Sequence, residues 1–510
     1  MKLNRRINRI VALAWAGLVV TGFAADKPNI ILVMPDDAGY GDYACLGNPY
    51  IKTPTVDLFK DQSTLFTQFH VSPKCGPSRA ALMSGGHEFR SGVTHTILER
   101  ERMNLKMVTM ADMLKTAGYT TGIFGKWHLG DDEAYRPENR GFDETYIHGA
   151  GGIGQTFSGS CGDAPGNTNI NPALWHNGKW VKTQGYCTDL FFGQAEKWIQ
   201  QSVAEDKPFF AFIAPNAPHG PHVLPEEYYQ HYLKNPKTKK VAKFYGMIEN
   251  IDTNFGQLLK MLDEMKIADN TMVIYLGSDN GGTAGVNIFN AGMTGKKMSP
   301  YQGGHRVPAF IRWPNGGVQE GVESDRLTAH VDLFKTFMAI TGAPETEALQ
   351  NQLEGRNLMP LLKDTTAEWA GRTWISHVGS WATGMADEFK HRECNIQNER
   401  FALVKHNELY DLKADPGQKH NVADQYPEVV AQFRETYDAW WDNVKGDFVN
   451  EDVIGPEMNP LKVAYWEQFG GEPDAGLLKR MNPMKRSHQS IVDKARAKEL
   501  ELAVPQKNKK

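Results

Sequence analysis

The chain has 510 residues, 41% of them hydrophobic and 23% charged, with a formal net charge of −4. That composition belongs to a folded globular protein long enough for more than one domain, and it excludes a disordered or low-complexity chain. The acidic balance argues against a nucleic-acid binder and requires that any polyanionic ligand be gripped by a local cluster of cations.

Residues 1–24 have the pattern of a secretory signal: Lys2, Arg5, Arg6 and Arg9 lead, Ile10 to Phe23 form an apolar core, and Gly22-Phe23-Ala24 is a small-x-small cleavage site. Its removal takes away four cations and brings the formal charge from −4 to −8. The apolar run is short for a bilayer span, so the expectation is a periplasmic or secreted protein with no stable membrane insertion. An uncleaved N-terminal anchor is the alternative. Five Cys is an odd count, which in an exported chain flags one thiol with another task. Cys161 and Cys187 flank a Gly/Asn-rich loop and could pair, while Cys45 and Cys394 read as buried thiols.

Four short apolar runs each stop at a polar cluster. Ile30 to Met34 precede Asp36-Asp37, Thr120 to Phe124 precede Gly125-Lys126-Trp127-His128, Phe209 to Ala214 precede His219, and Met272 to Leu276 precede Asp279-Asn280. Runs this short and rich in Ile, Val and Phe, interleaved with helical patterns, predict strands buried on both faces of a mostly parallel sheet. Ligands of such sheets bind beyond the carboxyl ends of the strands, so the four clusters are expected to converge on one site. Apolar spacing predicts helices over Met107 to Gly118, Tyr245 to Met265 and Val331 to Ile340, the last stopped by Gly342. The stretch from His148 to Tyr186 is too long for a routine connection and reads as a functional loop, with Trp175, Trp180 and Tyr186 packed.

Near residue 367 the texture changes to shorter strands, at Arg372 to Val378, Phe401 to Lys405 and Glu408 to Leu412. A helix from about Pro427 to Val444 follows and sets Val430, Phe433, Tyr437, Trp440, Trp441 and Val444 on one face. The predicted organisation is a signal over 1–24, a large α/β domain over 25–366 with a mostly parallel mixed sheet between helices, a smaller subdomain over 367–482 with an antiparallel sheet and a packed helix, and a charged tail over 483–510.

Asp36, Asp37, Asp279 and Asn280 offer only hard oxygen ligands, which suit Ca²⁺ or Mg²⁺ rather than zinc. Taken singly, an acidic pair after a strand more often caps a turn. Both pairs ending strands of one sheet favours a metal. Lys126 and His128, two apart, would point to one side of an extended segment.

The run Ser72-Pro73-Lys74-Cys75-Gly76-Pro77-Ser78-Arg79 contains C-x-P-S-R, and this chain resembles the type I sulfatases of the alkaline phosphatase superfamily from Pro28 to about Ala423. Further motifs occur in family order: Pro28 to Asp37, Gly125-Lys126-Trp127-His128-Leu129-Gly130, Asp279-Asn280-Gly281, Gly303-Gly304-His305-Arg306-Val307-Pro308, and Leu409-Tyr410-Asp411-Leu412 with Asp415-Pro416. The resemblance implies an alkaline phosphatase-like fold and a Cys75 oxidised to formylglycine by a maturation enzyme. The aldehyde hydrate would attack sulfur through one hydroxyl and release sulfate by collapse of the other. It also implies that Asp36, Asp37, Asp279 and Asn280, with an oxygen of modified Cys75, hold Ca²⁺. Arg79 would steady the hydrate, Lys126 and Lys297 would bind sulfate, His219 would protonate the leaving oxygen, and His128 would be the base. The family's Glu after the sulfate-binding Lys is Gln302 here, and Lys296 lies beside Lys297. Lys296, His222 and His305 are candidate substrate contacts, and His95, Arg100 and Arg102 are candidates for a subsite.

Export, the long loop and abundant aromatics predict a carbohydrate sulfate as substrate. An arylsulfatase of broad specificity and a phosphoester hydrolase of the same superfamily are the enzymatic alternatives. A non-catalytic sulfated-glycan binder would require Cys75 to remain a thiol.

Overall fold

A computed structural model describes residues 27–157, 159–456 and 458–472. The expected signal over 1–24 and the charged tail over 483–510 lie outside the described residues. Among the described residues, no helix is long and apolar enough to cross a membrane.

Eleven strands form one mixed sheet: β1 (Asn29–Val33), β2 (Thr64–His70), β3 (Thr120–Lys126), β4 (Glu144–His148), β5 (Ala173–His176), β6 (Lys179–Lys182), β7 (Phe209–Ala214), β8 (Thr271–Leu276), β9 (Arg306–Arg312), β10 (Val322–Ser324) and β11 (Thr328–Ala329). The order is β10-β2-β9-β8-β1-β7-β3-β4-β5-β6, with β11 beside β2. The centre, β8-β1-β7-β3-β4, is parallel; β9 runs antiparallel to β8 and β2, and β5 and β6 form an antiparallel hairpin at the edge.

Alternation along the central strands shows why they read as unbroken apolar runs. Ile30, Leu32, Phe210, Phe212, Met272 and Ile274 enter the core on one face, where the Met110–Thr116 and Asp332–Thr341 helices cover them. Ile31, Val33, Ala211, Ile213, Val273 and Tyr275 enter the other, under the Cys187–Ala204 and Ala242–Glu264 helices. With both faces buried, neither parity can be polar.

The small sheet comprises β12 (Trp374–His377), β13 (Cys394–Gln397), β14 (Phe401–Val404) and β15 (Glu408–Asp411), all antiparallel. The Pro427–Val444 helix packs on it through Val430, Phe433, Tyr437, Trp441 and Val444. The last described helix, Pro460–Phe469, instead docks on the edge hairpin of the large sheet: Trp180 Nε1 donates to the Leu461 carbonyl at 2.8 Å.

Three sequence expectations need correction. The helix expected from Met107 starts at Met110, because Thr109 and Asp112 form a reciprocal capping box that ends the preceding loop. The stretch from His148 to Tyr186 contains β5 and β6, whose Trp175 and Trp180 rings meet edge to face at 5.6 Å. Trp175, Trp180 and Tyr186 are buried as expected. Cys161 and Cys187 are not paired; all five cysteines are free thiols. Cys161 Sγ lies against the Thr96 carbonyl at 3.7 Å, whereas Cys187 opens a helix and sits in the core behind the sheet.

Candidate active site

The carboxyl ends of β1, β3, β7 and β8 lie side by side, and the chain leaving each carries a polar cluster to one place. Asp36 and Asp37 follow β1, Lys126 ends β3, His219 follows β7, and Asp279-Asn280 follow β8. Cys75 enters from above as the first residue of the Cys75–Ser84 helix, with Arg79 one turn along. Two of these positions depart from ordinary backbone: Asp37 has φ 76° and His128 φ 63°. The expected alternation at Lys126 and His128 is therefore not what aims them. Lys126 is still in the strand, and a left-handed residue turns His128 toward the same site.

Charge at the floor is arranged in compensating pairs. Lys126 Nζ meets Asp36 Oδ2 at 2.6 Å, and Lys297 Nζ meets Asp37 Oδ1 at 2.5 Å. Arg79 donates through Nε and Nη2 to Asp279 Oδ2 at 2.9 and 2.8 Å, and through Nη1 to the Lys126 carbonyl at 2.7 Å. Arg79 thus ties the metal-type carboxylate to the strand that carries Lys126. Asn280 Nδ2 donates to Asp37 Oδ1 and to the Gly281 carbonyl, both at 3.0 Å, which turns its Oδ1 the other way.

Pairing leaves a remainder. Asp36 Oδ1, Asp279 Oδ1 and Asn280 Oδ1 are buried and have no hydrogen-bond partner. Ligand atoms of Asp36, Cys75 and Asp279 lie within 4.8 Å of one another. Buried oxygens are not normally left unsatisfied, and convergent hard oxygens are the donor set of Ca²⁺ or Mg²⁺. The residues present fit such an ion.

Electrostatics carry the same message. Burial, and then the charge of Asp279, pushes the Asp36 carboxyl up to about 7 against the pull of Lys126. Burial also works to raise Asp37, but Lys297, His219 and Lys126 outweigh it and hold its carboxyl below the usual range. Asp279 is likewise lowered, burial being overcome by Arg79 and Lys126. Burial would lower Lys297 and Lys126, yet Asp37 and Asp36, respectively, raise them. Both histidines are shifted toward the neutral form by burial, His128 strongly and His219 against the opposing charges of Asp36 and Asp37.

The imidazoles have distinct hydrogen-bond patterns. His128 Nε2 is 2.8 Å from the Thr96 carbonyl, which assigns the proton to Nε2 and leaves the buried, unpartnered Nδ1 as a lone pair. His219 Nδ1 is 2.6 Å from the Gly220 carbonyl, so Nε2 faces Asp37 Oδ2 at 3.9 Å. Gly151 closes the wall behind His128: a Cβ there would lie 2.4 Å from His128 Cε1.

A cavity of about 420 Å³ opens over Cys75 and is lined by His128, His219, Lys297, Gly151, Lys74, His95, Thr96, Ile97, Gln155, Phe157, Met298 and Ser380. The sequence-predicted Cys75, Arg79, Lys126, His128, His219, Lys297, Asp36, Asp37, Asp279 and Asn280 are all brought together around its floor. Lys296 is exposed outside the lining, and His222 is half-buried with its ring against Phe244. His305 is not a substrate contact: it is fully buried, with Nδ1 3.0 Å from His70 Nδ1 and Nε2 3.3 Å from the Pro300 carbonyl. From His70 the chain of bonds passes to Gln397 and on to Gln302, which explains the amide there: it faces the side-chain amide of Gln397 at 2.7 Å, linking the two sheets. Of the three subsite candidates only His95 lines the cavity. Arg100 pairs with Glu451 at 2.8 Å and Arg102 with Asp132.

Sequence reasoning missed Lys74, Gln155, Phe157, Met298 and Ser380. Lys74 carried a signal, since a cation beside a nucleophile is unusual company. Ser380 carried none, because it arrives from the loop after β12, some 300 residues away.

The family model for sulfatases matches residues 28–343, and the model described as N-sulphoglucosamine sulphohydrolase, C-terminal, matches residues 292–440. Arylsulfatase A of Homo sapiens is 29% identical over 481 residues, covering 84% of this chain and 89% of the relative. An N-acetylgalactosamine-6-O-sulfatase of Bacteroides thetaiotaomicron is 26% identical over 501 residues, covering 81% of this chain and 93% of the relative. A solved structure described as Ps i-CgsB in complex with k-i-k-neocarrahexaose aligns with a TM-score of 0.73 at 26% identity, covering 87% of this chain and 97% of that one. With the strand-end carboxylates, the C-x-P-S-R helix and these matches in agreement, the chain belongs to the type I sulfatases of the alkaline phosphatase superfamily and is a sulfuric ester hydrolase.

Proposed function

We propose that this enzyme is exported, that a maturation enzyme converts Cys75 to formylglycine, and that with Ca²⁺ bound it removes sulfate from a sulfated carbohydrate. The observation that carries this reading is the set of unpartnered buried oxygens of Asp36, Asp279 and Asn280, with Asp36 and Asp279 clustered with Cys75 at the start of a helix. Asp36, Asp37, Asp279, Asn280 and the oxygen at position 75 would hold the cation, which supplies Lewis-acid polarisation of a sulfate oxygen. The aldehyde hydrate at position 75 supplies the nucleophilic hydroxyl.

The remaining work falls to this chain's own side chains. Lys126 and Lys297 put fixed positive charge where the sulfate sits, and the carboxylates that pair with them keep both ammonium groups ionised in a buried setting. Arg79 positions Asp279. His219 presents Nε2 to the cavity and gives its proton to the departing sugar oxygen; Asp37, facing that nitrogen, favours the protonated form. His128 is the base, because its Nε2 proton is engaged by Thr96 and its Nδ1 lone pair is free to accept. The carbohydrate assignment is supported by the N-acetylgalactosamine-6-O-sulfatase relative and by the neocarrahexaose complex of the similar structure.

The test is turnover by protein co-expressed with a formylglycine-generating enzyme. Sulfate release from a panel of sulfated mono- and oligosaccharides is the expected result. Faster hydrolysis of matched phosphate esters, or no release from any saccharide beside brisk 4-nitrophenyl sulfate hydrolysis, would overturn the reading.

A further inference from the structure

Among the described residues, Lys74 is the one cation of the cavity wall that the floor chemistry does not use. It immediately precedes Cys75 in extended backbone, is only 4% exposed, and still lines the cavity. Its ammonium donates to Ser380 Oγ, a neutral hydroxyl from the loop that follows β12. Among the described residues no carboxylate pairs with it: the one favourable charge that reaches it is the adjacent Cys75 sulfur, which the proposed conversion to formylglycine removes, and the others, Lys297 and Arg100, are themselves cations. Lys297 and Arg100 are each matched by an acid, Asp37 and Glu451. The bond to Ser380 directs the Lys74 ammonium toward the loop that leaves the small sheet.

A buried ammonium whose only hydrogen-bond partner is a neutral hydroxyl is left without a lasting counter-charge, which is unfavourable. The Ser380 side is fixed: its backbone N–H donates to the Thr94 carbonyl at 2.8 Å, and a Cβ at Gly379 would lie 2.3 Å from that same oxygen. The cation is held in place, facing a cavity, with its counter-charge missing.

We propose that Lys74 and Ser380 bind a second anionic group of the substrate, a sulfate or a uronate carboxylate, distinct from the sulfate being hydrolysed. The substrate class is then a multiply anionic saccharide. This rests on the carbohydrate reading above and adds a specificity determinant to it. Ile97, Phe157 and Met298, on the same wall, supply apolar surface for the sugar between its two charges.

The experiment measures inhibition of 4-nitrophenyl sulfate hydrolysis, using galactose-, N-acetylgalactosamine- and glucosamine-based saccharides, each as a monosulfated and a disulfated form, with uronate-bearing disaccharides as a third arm. Because the readout is inhibition, it stands whether or not a saccharide is turned over, and sulfate release scored in parallel tests the carbohydrate reading separately. In the wild-type enzyme at least one doubly anionic member should inhibit about 10-fold or more tightly than its singly charged partner, the value of one charge-assisted contact. Lys74→Gln should bring that ratio to within about twofold and Lys74→Arg should restore part of it. Ser380→Asp, which gives Lys74 the missing carboxylate, should abolish the preference by another route. The proposal is overturned if no doubly anionic member gains over its partner. It is equally overturned if the gain survives Lys74→Gln and Ser380→Asp, or if Lys74→Gln loses 4-nitrophenyl sulfate turnover as steeply as it loses saccharide binding, which would put Lys74 on the scissile sulfate.

Discussion

The floor and the mouth of the cavity are built on opposite plans. On the floor each cation has its acid: Lys126 with Asp36, Lys297 with Asp37, Arg79 with Asp279. Lys297 comes from the loop before the Gln302–His305 turn, but the others come from the ends of adjacent strands and from the Cys75–Ser84 helix, so regular structure fixes most of their spacing. The mouth draws on loops, from Lys74 and His95 through Phe157 to Ser380, and it contains a cation without an acid. The contrast teaches that reaction type is secured by regular structure, while choice of substrate is left to connections that can change without disturbing the sheet.

The sharpest way to break the comparison is at the floor. Lys126→Met removes one partner of a fully buried pair, and about 3–5 kcal/mol of stability should go with it. Thermal unfolding should show a lower midpoint, and turnover should fall to background. An unchanged midpoint would mean that the pair does not carry the compensation described here. His219→Ala should cost about 10²–10⁴-fold in kcat on a sugar sulfate, whose alkoxide is a poor leaving group. On 4-nitrophenyl sulfate the loss should be much smaller, and equal losses on both would remove His219 as the acid.

Gly151→Ala probes the wall between the two regions. Its new methyl would stand 2.4 Å from His128 Cε1, so the imidazole must shift, and about 10²-fold in kcat should be lost with little change in unfolding. Loss of stability with full activity per folded molecule would show that the wall yields instead. On stability, calcium should act less than the Lys126 substitution. Chelation of the mature enzyme should lower its unfolding midpoint, and calcium at about 100 times its Kd should return about 2.7 kcal/mol. Failure of calcium to restore either the midpoint or the activity would argue that another ion occupies the oxygens.

Legibility in the sequence followed the same division. The runs ending at Asp36, Lys126, His219 and Asp279 were readable because strands buried on both faces leave no polar residue until they stop. The Pro427–Val444 helix was readable from its one-sided aromatic stripe. His305 misled because its place beside a glycine pair resembles a site motif, whereas its two nitrogens are taken up by His70 and Pro300. The pairing of Cys161 with Cys187 looked plausible because both border one loop, yet Cys161 Sγ lies against the Thr96 carbonyl while Cys187 is packed in the core at the start of a helix. Ser380 could not be found from sequence, since it meets Lys74 only after the small sheet docks on the large one.

The most direct test of the account is the mass of the peptide spanning Cys75, taken from active, natively matured enzyme. The account predicts an aldehyde in place of the thiol, in a proportion that rises and falls with sulfatase activity across preparations. Full activity in material whose Cys75 peptide carries only the thiol would contradict it.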